Sequence, residues 1–374
     1  MTPETLQPAL PKRMYVDDAF WRRERDRVLH SSWFCVGRRS DLGLDEPGRL
    51  AVVDVVGESV LVTSDQSGDL HAAYNVCRHR GSQIVPVDGA DGPPASCAVG
   101  ALRCPYHSWT YDLSGRLLKA PHAEGVGDFD PAEFGLHPVG VDTWGGFCFV
   151  HLTPTDAQPL ADEIGDGVAT IANYPLASLV RGLRFEYDVA ANYKVLSENY
   201  NECYHCGPVH PELTRLVPAF GSGGSDLDWA AGVEHRQGAW TFTVSGTTTR
   251  RPFAGLDDVE LSRHKGALLH PNLWLSCSPD HVAAFTLWPT AVDRTRVVCD
   301  LLFEPDAVAA ADFDPFDAGD LWDLVNRQDW AVCESVQRGM SSRAYSQGWF
   351  APMEDLAADI RRWLLPRLDE EVGA

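Results

Sequence analysis

The stretch YNVCRHRG (residues 74–81) sets a cysteine and a histidine one residue apart, Cys77 and His79, among arginines and just ahead of a glycine. A thiolate and an imidazole so close together in a polar turn suggest metal ligands, but one pair cannot complete a site. CPYHSW (residues 104–109) supplies a second pair, Cys104 and His107, after an interval of 24 residues. Two cysteines and two histidines can hold tetrahedral zinc. Zinc fingers usually pair Cys with Cys and His with His, whereas here each loop offers one of each. An asymmetric two-iron cluster asks for that distribution, with both thiolates on one iron and both imidazoles on the other.

Composition sets outer bounds. The chain has 374 residues, 44% of them hydrophobic and 22% charged, an ordinary globular balance with room for two domains. No apolar run reaches the roughly eighteen residues of a membrane span, and the N-terminal MTPETLQPALPKRMY does not resemble a signal peptide. A cytoplasmic protein without a membrane partner is expected. The formal net charge of −22 would repel phosphate backbones, which argues against nucleic acid. A solvated surface explains that charge more simply than attraction to a cationic substrate does. With ten cysteines and no secretion signal, a disulfide framework is not expected.

The pattern of elements changes along the chain. A helix is expected over 17–30, with Phe20, Val28 and Leu29 on its buried face. From 33 to about 152, β-rich runs such as LAVVDVVGESVLVTS alternate with turns, as in a small all-β domain. VDGADGPPAS (87–96) reads as a loop and PTDAQPL (154–160) as a linker. Beyond it we expect helices over 190–204, 317–337 and 355–368. Strands are expected over 240–248, 273–278, 282–288 and 295–303. The fold class is α+β, with an antiparallel sheet in the second domain. The expected division is an N-terminal segment 1–32, a β domain 33–155 and a catalytic domain 156–374.

A second constellation lies in NYKVLSENYNECYHCGPVHPEL (192–213). On a continuous helix Glu198, Glu202 and His205 would share one face. Gly207 and Pro208 would end that helix and turn His210 back. Two histidines with a carboxylate can hold non-haem iron(II) and leave positions open. Cys203 and Cys206 form a C-x-x-C that we read as packing around this helix.

The first pair of loops, with Arg78, Gly81, Pro105, Tyr106, Ser108 and Trp109, resembles the Rieske [2Fe–2S] motif. The second constellation resembles the mononuclear iron motif of Rieske oxygenase α subunits. The likeness runs from about residue 15 to the end. It implies a Rieske β domain in which Cys77 and Cys104 bind one iron and His79 and His107 the other. The catalytic domain would be helix-grip-like. On this match His205 and His210 bind a mononuclear iron(II), and NRQDWAVCESVQRG (326–339) provides the third ligand, Asp329, with Glu334 and Asp323 as alternatives. Glu202 would bridge His205 to the Rieske His107 of a neighbouring subunit, and Asn199 would sit beside the iron.

The resemblance further implies dioxygen as co-substrate, a homotrimer and a separate NAD(P)H-dependent flavin/iron–sulfur reductase. No GxGxxG opening a βαβ unit is present for a nicotinamide of its own. The likeness is strongest to the branch acting on quaternary amines such as glycine betaine, stachydrine, choline and carnitine. The expected reaction is hydroxylation or N-demethylation of a small amine. Oxygenation of an aromatic carboxylate or a natural-product intermediate is the alternative. Trp240, Phe242, Phe285 and Trp288 are candidate walls for an ammonium cage.

Overall fold

The computed structural model describes residues 5–87, 97–123, 125–224 and 227–370. Residues 88–96 of the expected 87–96 loop lie outside them. The chain divides into one unit of Leu29–Glu163 and another of Met1–Val28 with Ile164–Ala374. The division falls later than residue 155 because the 152–158 segment is tied to the β unit. Trp33 Nε1 donates to Gln158 O at 2.8 Å, and Tyr74 OH donates to Leu152 O at 3.0 Å.

The β unit holds a seven-stranded sheet. Its order is Phe34–Arg38, Phe147–His151, Pro138–Trp144, Leu70–Tyr74, Glu58–Ser64, Arg49–Val55 and Cys97–Ala98. The hairpin Arg49–Val55 to Glu58–Ser64 closes on Val56 and Gly57, both at positive φ (52° and 96°). That geometry matches the twist of paired strands, and the Asp54 carboxylate accepts from Gly57 N at 2.9 Å to hold it. A small sheet of Leu102–Arg103, Thr110–Tyr111 and Leu117–Lys119 packs Trp109, Tyr111 and Leu117 into a core with Leu61, Cys77 and Cys104. The two cysteine loops are therefore anchored from below by apolar burial.

The other unit is built on a six-stranded antiparallel sheet: Val180–Val189, Arg294–Phe303, Val282–Ala291, Leu273–Cys277, Arg263–Leu269 and Val233–Glu234. The expected strands over 273–278, 282–288 and 295–303 are among them. Leu273–Cys277 is buried throughout, which requires cover on both faces. The helix Phe316–Met340 packs against the strand Val180–Val189 of this sheet: a Cβ on Gly319 would come within 2.5 Å of Leu183 Cδ2 and displace that side chain. The 17–30 helix is found as Asp18–Arg27, capped by Asp17, followed by a 3-10 turn. The 355–368 segment divides into a 3-10 stretch, Pro352–Ala358, and the helix Asp359–Leu368. No helix among the described residues is long and apolar enough to cross a membrane.

Two expectations need correction. Residues 240–248 form no strand. Their Ser and Thr hydroxyls bond locally instead: Thr243 Oγ1 to Thr247 O at 2.9 Å, Ser245 Oγ to Thr247 O at 2.9 Å, and Gly246, at φ 83°, to Thr243 through its N–H. Such bonds compete with a sheet ladder. Nor is 190–204 one helix, since α-helix runs only over Tyr193–Tyr200 and Asn201 leaves helical geometry at ψ 18°.

The start of that helix explains its Asn-aromatic-Lys sequence. Asn192 Oδ1 caps Lys194 N at 3.0 Å, its Nδ2 donates to Val292 O at 2.6 Å, and its own N–H donates to Gln337 Oε1 at 3.0 Å. One residue thus joins the helix to the sheet and to Phe316–Met340. Lys194, fully buried, pairs with the equally buried Glu24 at 2.7 Å, and Tyr193 OH donates to the same carboxylate. Truncating one member leaves the other charge buried and unpaired. Glu24→Ala is expected to cost about 3–5 kcal/mol in denaturant unfolding, and Glu24→Leu with Lys194→Met much less than two such losses. Additive costs, with the double variant losing the sum of the two single losses, would rule out the ion pair as the cause.

Candidate functional site

In the β unit the two cysteine loops are tight turns. Gly81 N donates to Cys77 O at 3.0 Å and Cys77 N to Ser82 O at 2.8 Å. In the second loop Ser108 N donates to Cys104 O at 3.1 Å and Cys104 N to Trp109 O at 2.8 Å. Gly81 and Ser108 take positive φ, 73° and 62°, to close these turns. Cys77 and Cys104 are buried, while His79 is exposed and His107 half-buried. The imidazoles meet at 4.6 Å between ring centroids, and His79 stacks on buried Trp109 at 5.1 Å and 6°. The structure therefore brings all four expected ligands together, sulfurs inward and imidazoles outward. Burial raises the Cys77 thiol, and a second thiol beside it adds to the effect, so paired thiolates here call for a bound cation. That fits a two-iron cluster.

Sequence reasoning missed Tyr111. Its hydroxyl lies 3.4 Å from Cys77 Sγ and accepts from Arg78 N at 3.2 Å, which leaves the O–H proton for the sulfur. Hydrogen bonds to cluster sulfurs raise the reduction potential. Tyr111→Phe is expected to lower that potential in spectroelectrochemistry, and an unchanged value would remove this role.

In the other unit the chain turns out of the Tyr193–Tyr200 helix, and this places Glu202 and His205 differently from one helix face. Glu202 Oε1 accepts from His205 Nδ1 at 2.5 Å, and its other oxygen accepts from the Tyr204 and His205 backbone N–H groups. Gly207 and Pro208 do not end a helix. They lie inside a short one, Cys206–Val209, and His210 follows it. Glu198 departs from the site. It is buried and receives the Tyr15 hydroxyl at 2.5 Å, and desolvation pushes its carboxyl up to about 8.

His205, His210 and Asp329 converge, with ligand atoms all within 4.8 Å of one another. His210 Nε2 lies 2.9 Å and His205 Nε2 3.2 Å from Asp329 Oδ1. The ring centroids are 5.1 Å apart and nearly perpendicular at 78°. Glu202 holds the Nδ1 proton of His205, and Gln328 Oε1 holds that of His210 at 2.7 Å. Both Nε2 lone pairs are left for a metal. Gln328 is in turn held by Glu212 at 3.3 Å and was also missed in the sequence.

The electrostatics ask for a cation. Burial works against protonation of His205, but its hydrogen bonds to the Asp329 and Glu202 carboxylates prevail and raise it to about 10. Burial likewise pushes the Asp329 carboxyl up, and bonds from His205 and His210 outweigh it, holding it below the usual value. Asn199 Oδ1 is buried without a hydrogen-bond partner, while its Nδ2 lies 3.4 Å from His205 Nε2. Two neutral-ready imidazoles and one carboxylate on one side of a cavity fit iron(II).

The alternatives to Asp329 are occupied elsewhere. Asp323 accepts from Tyr187 OH at 2.8 Å and Arg327 at 2.7 Å, and Glu334 accepts from Ala190 N at 3.1 Å. Cys203 and Cys206 are buried and form no disulfide.

The three ligands open onto a cavity of about 660 Å³. Of the four wall candidates, Phe242 lines it. Phe285 stands behind, 5.5 Å from Tyr200 and 5.8 Å from Trp322, both of which do line the cavity. Trp240 and Trp288 are not among the lining residues.

Two family profiles match the chain: "Rieske [2Fe-2S] domain" over residues 32–130 and "Ring hydroxylating alpha subunit (catalytic domain)" over 176–370. The chain is 30% identical to the glycine betaine monooxygenase oxygenase subunit of Pseudomonas aeruginosa (strain UCBPP-PA14), covering 98% of this chain and 90% of that one. It is 28% identical to the carnitine monooxygenase oxygenase subunit of Escherichia coli (strain K12), covering 90% and 85%. Its fold is that of the quaternary ammonium Rieske monooxygenase CntA, crystallised with L-carnitine, with a TM-score of 0.71, 24% identity and coverage of 97% and 96%.

Asp329→Ala is expected to abolish mononuclear iron binding and leave the Rieske absorption intact, read by metal analysis and visible spectra. Gln328→Leu should weaken iron binding about tenfold or more in a chelator competition, since it frees the His210 ring and its tautomer. Full iron retention in both variants would reject this ligand set.

Proposed function

Because the chain belongs to the Rieske family of ring-hydroxylating oxygenase α subunits, we propose that it is a terminal oxygenase that oxidises an N-methyl group of a quaternary or methylated amine. It is an oxidoreductase with a Rieske [2Fe–2S] cluster, one mononuclear iron and dioxygen as co-substrate. Its relatives are named oxygenase subunits, and electrons therefore come from a separate reductase. We take that reductase to be an NAD(P)H-dependent flavin and iron–sulfur protein, and the working assembly to be a homotrimer. The observation that carries the reading is the His205, His210 and Asp329 triad opening onto an aromatic-walled cavity.

Bound iron(II) supplies dioxygen activation there. The chain's own residues prepare for it. Asp329 and the two Nε2 atoms occupy one side and leave the cavity side open to substrate. Glu202 Oε1 and Gln328 Oε1 keep each Nδ1 proton in place, so neither ring turns its N–H toward the metal. Glu202 is also where a neighbouring subunit's His107 would be received. Phe220, Trp229, Phe242 and Trp322 exclude water from the substrate's apolar surface and offer ring faces to an ammonium group that has no proton to donate. The overall reaction takes one dioxygen, two electrons and two protons. It forms a hydroxymethyl group and water, and the carbinolamine then releases formaldehyde and leaves the amine one methyl shorter.

With both metal centres loaded and a surrogate reductase supplying electrons, formaldehyde is expected in step with oxygen consumed on a methylated amine. Turnover restricted to aromatic acids, without formaldehyde, would move the chain to ring oxidation. Glu202→Gln should retain both metals yet slow substrate-triggered reoxidation of the Rieske chromophore in a single turnover. An unchanged rate would reject the bridging role.

A further inference from the structure

The part of the cavity away from the iron ligands is built in a specific way. Trp322 and Asp329 share the helix Phe316–Met340, seven residues apart, which places them roughly 10 Å apart along its axis at 1.5 Å per residue. Trp322 is locked. Its Nε1 donates to His281 Nε2 at 3.0 Å, His281 Nδ1 donates to Asp280 Oδ1 at 3.0 Å, and Arg250 Nε donates to Asp280 at 2.8 Å. A tryptophan N–H can only donate, so His281 Nε2 is the acceptor and its Nδ1 carries the proton toward Asp280.

Against Trp322 stands His264, 6.2 Å away between centroids. His264 lies flat on Phe242 at 3.9 Å and 1°. All three rings line the cavity. His264 is only 8% exposed, and its Nδ1 is buried without a hydrogen-bond partner. Leaving a buried imidazole unsatisfied is costly, and a bound molecule would relieve that cost.

The cations that line this cavity are committed elsewhere. Lys265 Nζ donates to Glu260 at 2.9 Å, and Arg362 donates to Asp359 at 2.7 Å. Burial, with His235 and His281 nearby, keeps His264 well below the usual imidazole value, and burial with Arg367 nearby brings lining residue His270 down to about 4. The far wall therefore offers a neutral donor and acceptor between aromatic faces, and it lacks an uncommitted positive charge. A carboxylate entering it would be desolvated without a countercharge. A cavity of about 660 Å³ is in the range that holds drug-sized ligands, more than a simple betaine fills.

We propose that Phe242, His264 and Trp322 form a distal recognition subsite for a planar, uncharged, hydrogen-bonding group, so that the substrate is an arylalkyl methylamine with a phenol-like end rather than a carboxylated betaine. This rests on the amine-oxidising reading above and narrows its substrate class. A phenol suits a neutral imidazole because it both donates and accepts, and its ring packs against the aromatic wall that Phe242 and Trp322 form, 5.4 Å apart between centroids.

The test measures equilibrium binding to the metal-loaded protein by calorimetry, with formaldehyde release in parallel. The probes are N,N-dimethyltyramine, its counterpart lacking the hydroxyl, N,N-dimethylphenethylamine, and glycine betaine and carnitine. N,N-dimethyltyramine is expected to bind tightest. His264→Phe keeps the flat ring and should weaken N,N-dimethyltyramine about tenfold while leaving N,N-dimethylphenethylamine unchanged. His264→Gln, which keeps a donor and an acceptor, should recover most of the loss and serves if the phenylalanine variant folds poorly. Tighter binding of glycine betaine or carnitine, equal weakening of both aryl amines by His264→Phe, or no binding of any probe would overturn the subsite. The two readings fail separately. Formaldehyde from the betaines with the aryl amines silent sinks the subsite and keeps amine demethylation. Hydroxyl-dependent binding of N,N-dimethyltyramine without formaldehyde from any amine supports the subsite and sinks demethylation.

Discussion

The catalytic unit depends on one carboxylate. Asp329 is largely withdrawn from water, its side chain 15% exposed, and such a carboxylate is tolerable only when opposite charge or hydrogen-bond donors reach it. His205 and His210 do so from a segment more than a hundred residues earlier, at 3.2 and 2.9 Å. Those contacts require the 193–210 segment and the Phe316–Met340 helix to be docked with little slack. Asn192 provides that docking by bonding Lys194 N, Val292 O and Gln337 at once. The same residue that starts one helix thus sets where the iron ligands at its far end can go.

The surrounding polar groups form a graded set of protonation environments. Glu202 and Asp329 meet imidazole donors, and Asp329 is held low by them. Glu198, a few residues away, meets mostly desolvation and is pushed up to about 8. Burial alone would have raised both Asp329 and Glu198, and their partners set the direction each takes. In the β unit the same logic separates the ligands: the thiols are buried where Tyr111 and a metal can stabilise thiolate, and the imidazoles face outward.

The substrate cavity follows a different rule from the metal sites. Its walls are aromatic rings fixed by indirect partners, with Trp322 tied through His281 and Asp280 to Arg250, and Phe242 stacked on His264. Fixed rings select by shape and by the charge they exclude.

The sequence by itself determined both metal motifs, the α+β class and three of the six strands of the second domain's sheet. It could do so because these signals are local. Cys77 with His79, Cys104 with His107, and His205 with His210 each lie within one short segment, where turn chemistry leaves little choice. Only the tertiary structure decided what depends on distant segments meeting. It selected Asp329 over Asp323 and Glu334, which face Tyr187 and Ala190 instead. It ended the helix at Tyr200, bringing Glu202 back onto His205, and it turned residues 240–248 from a strand into hydroxyl-bonded turns. It also assigned Tyr111, Gln328, His264 and Trp322 their places. Each is an ordinary residue in sequence and acquires a role only through a contact whose partner the local pattern does not name.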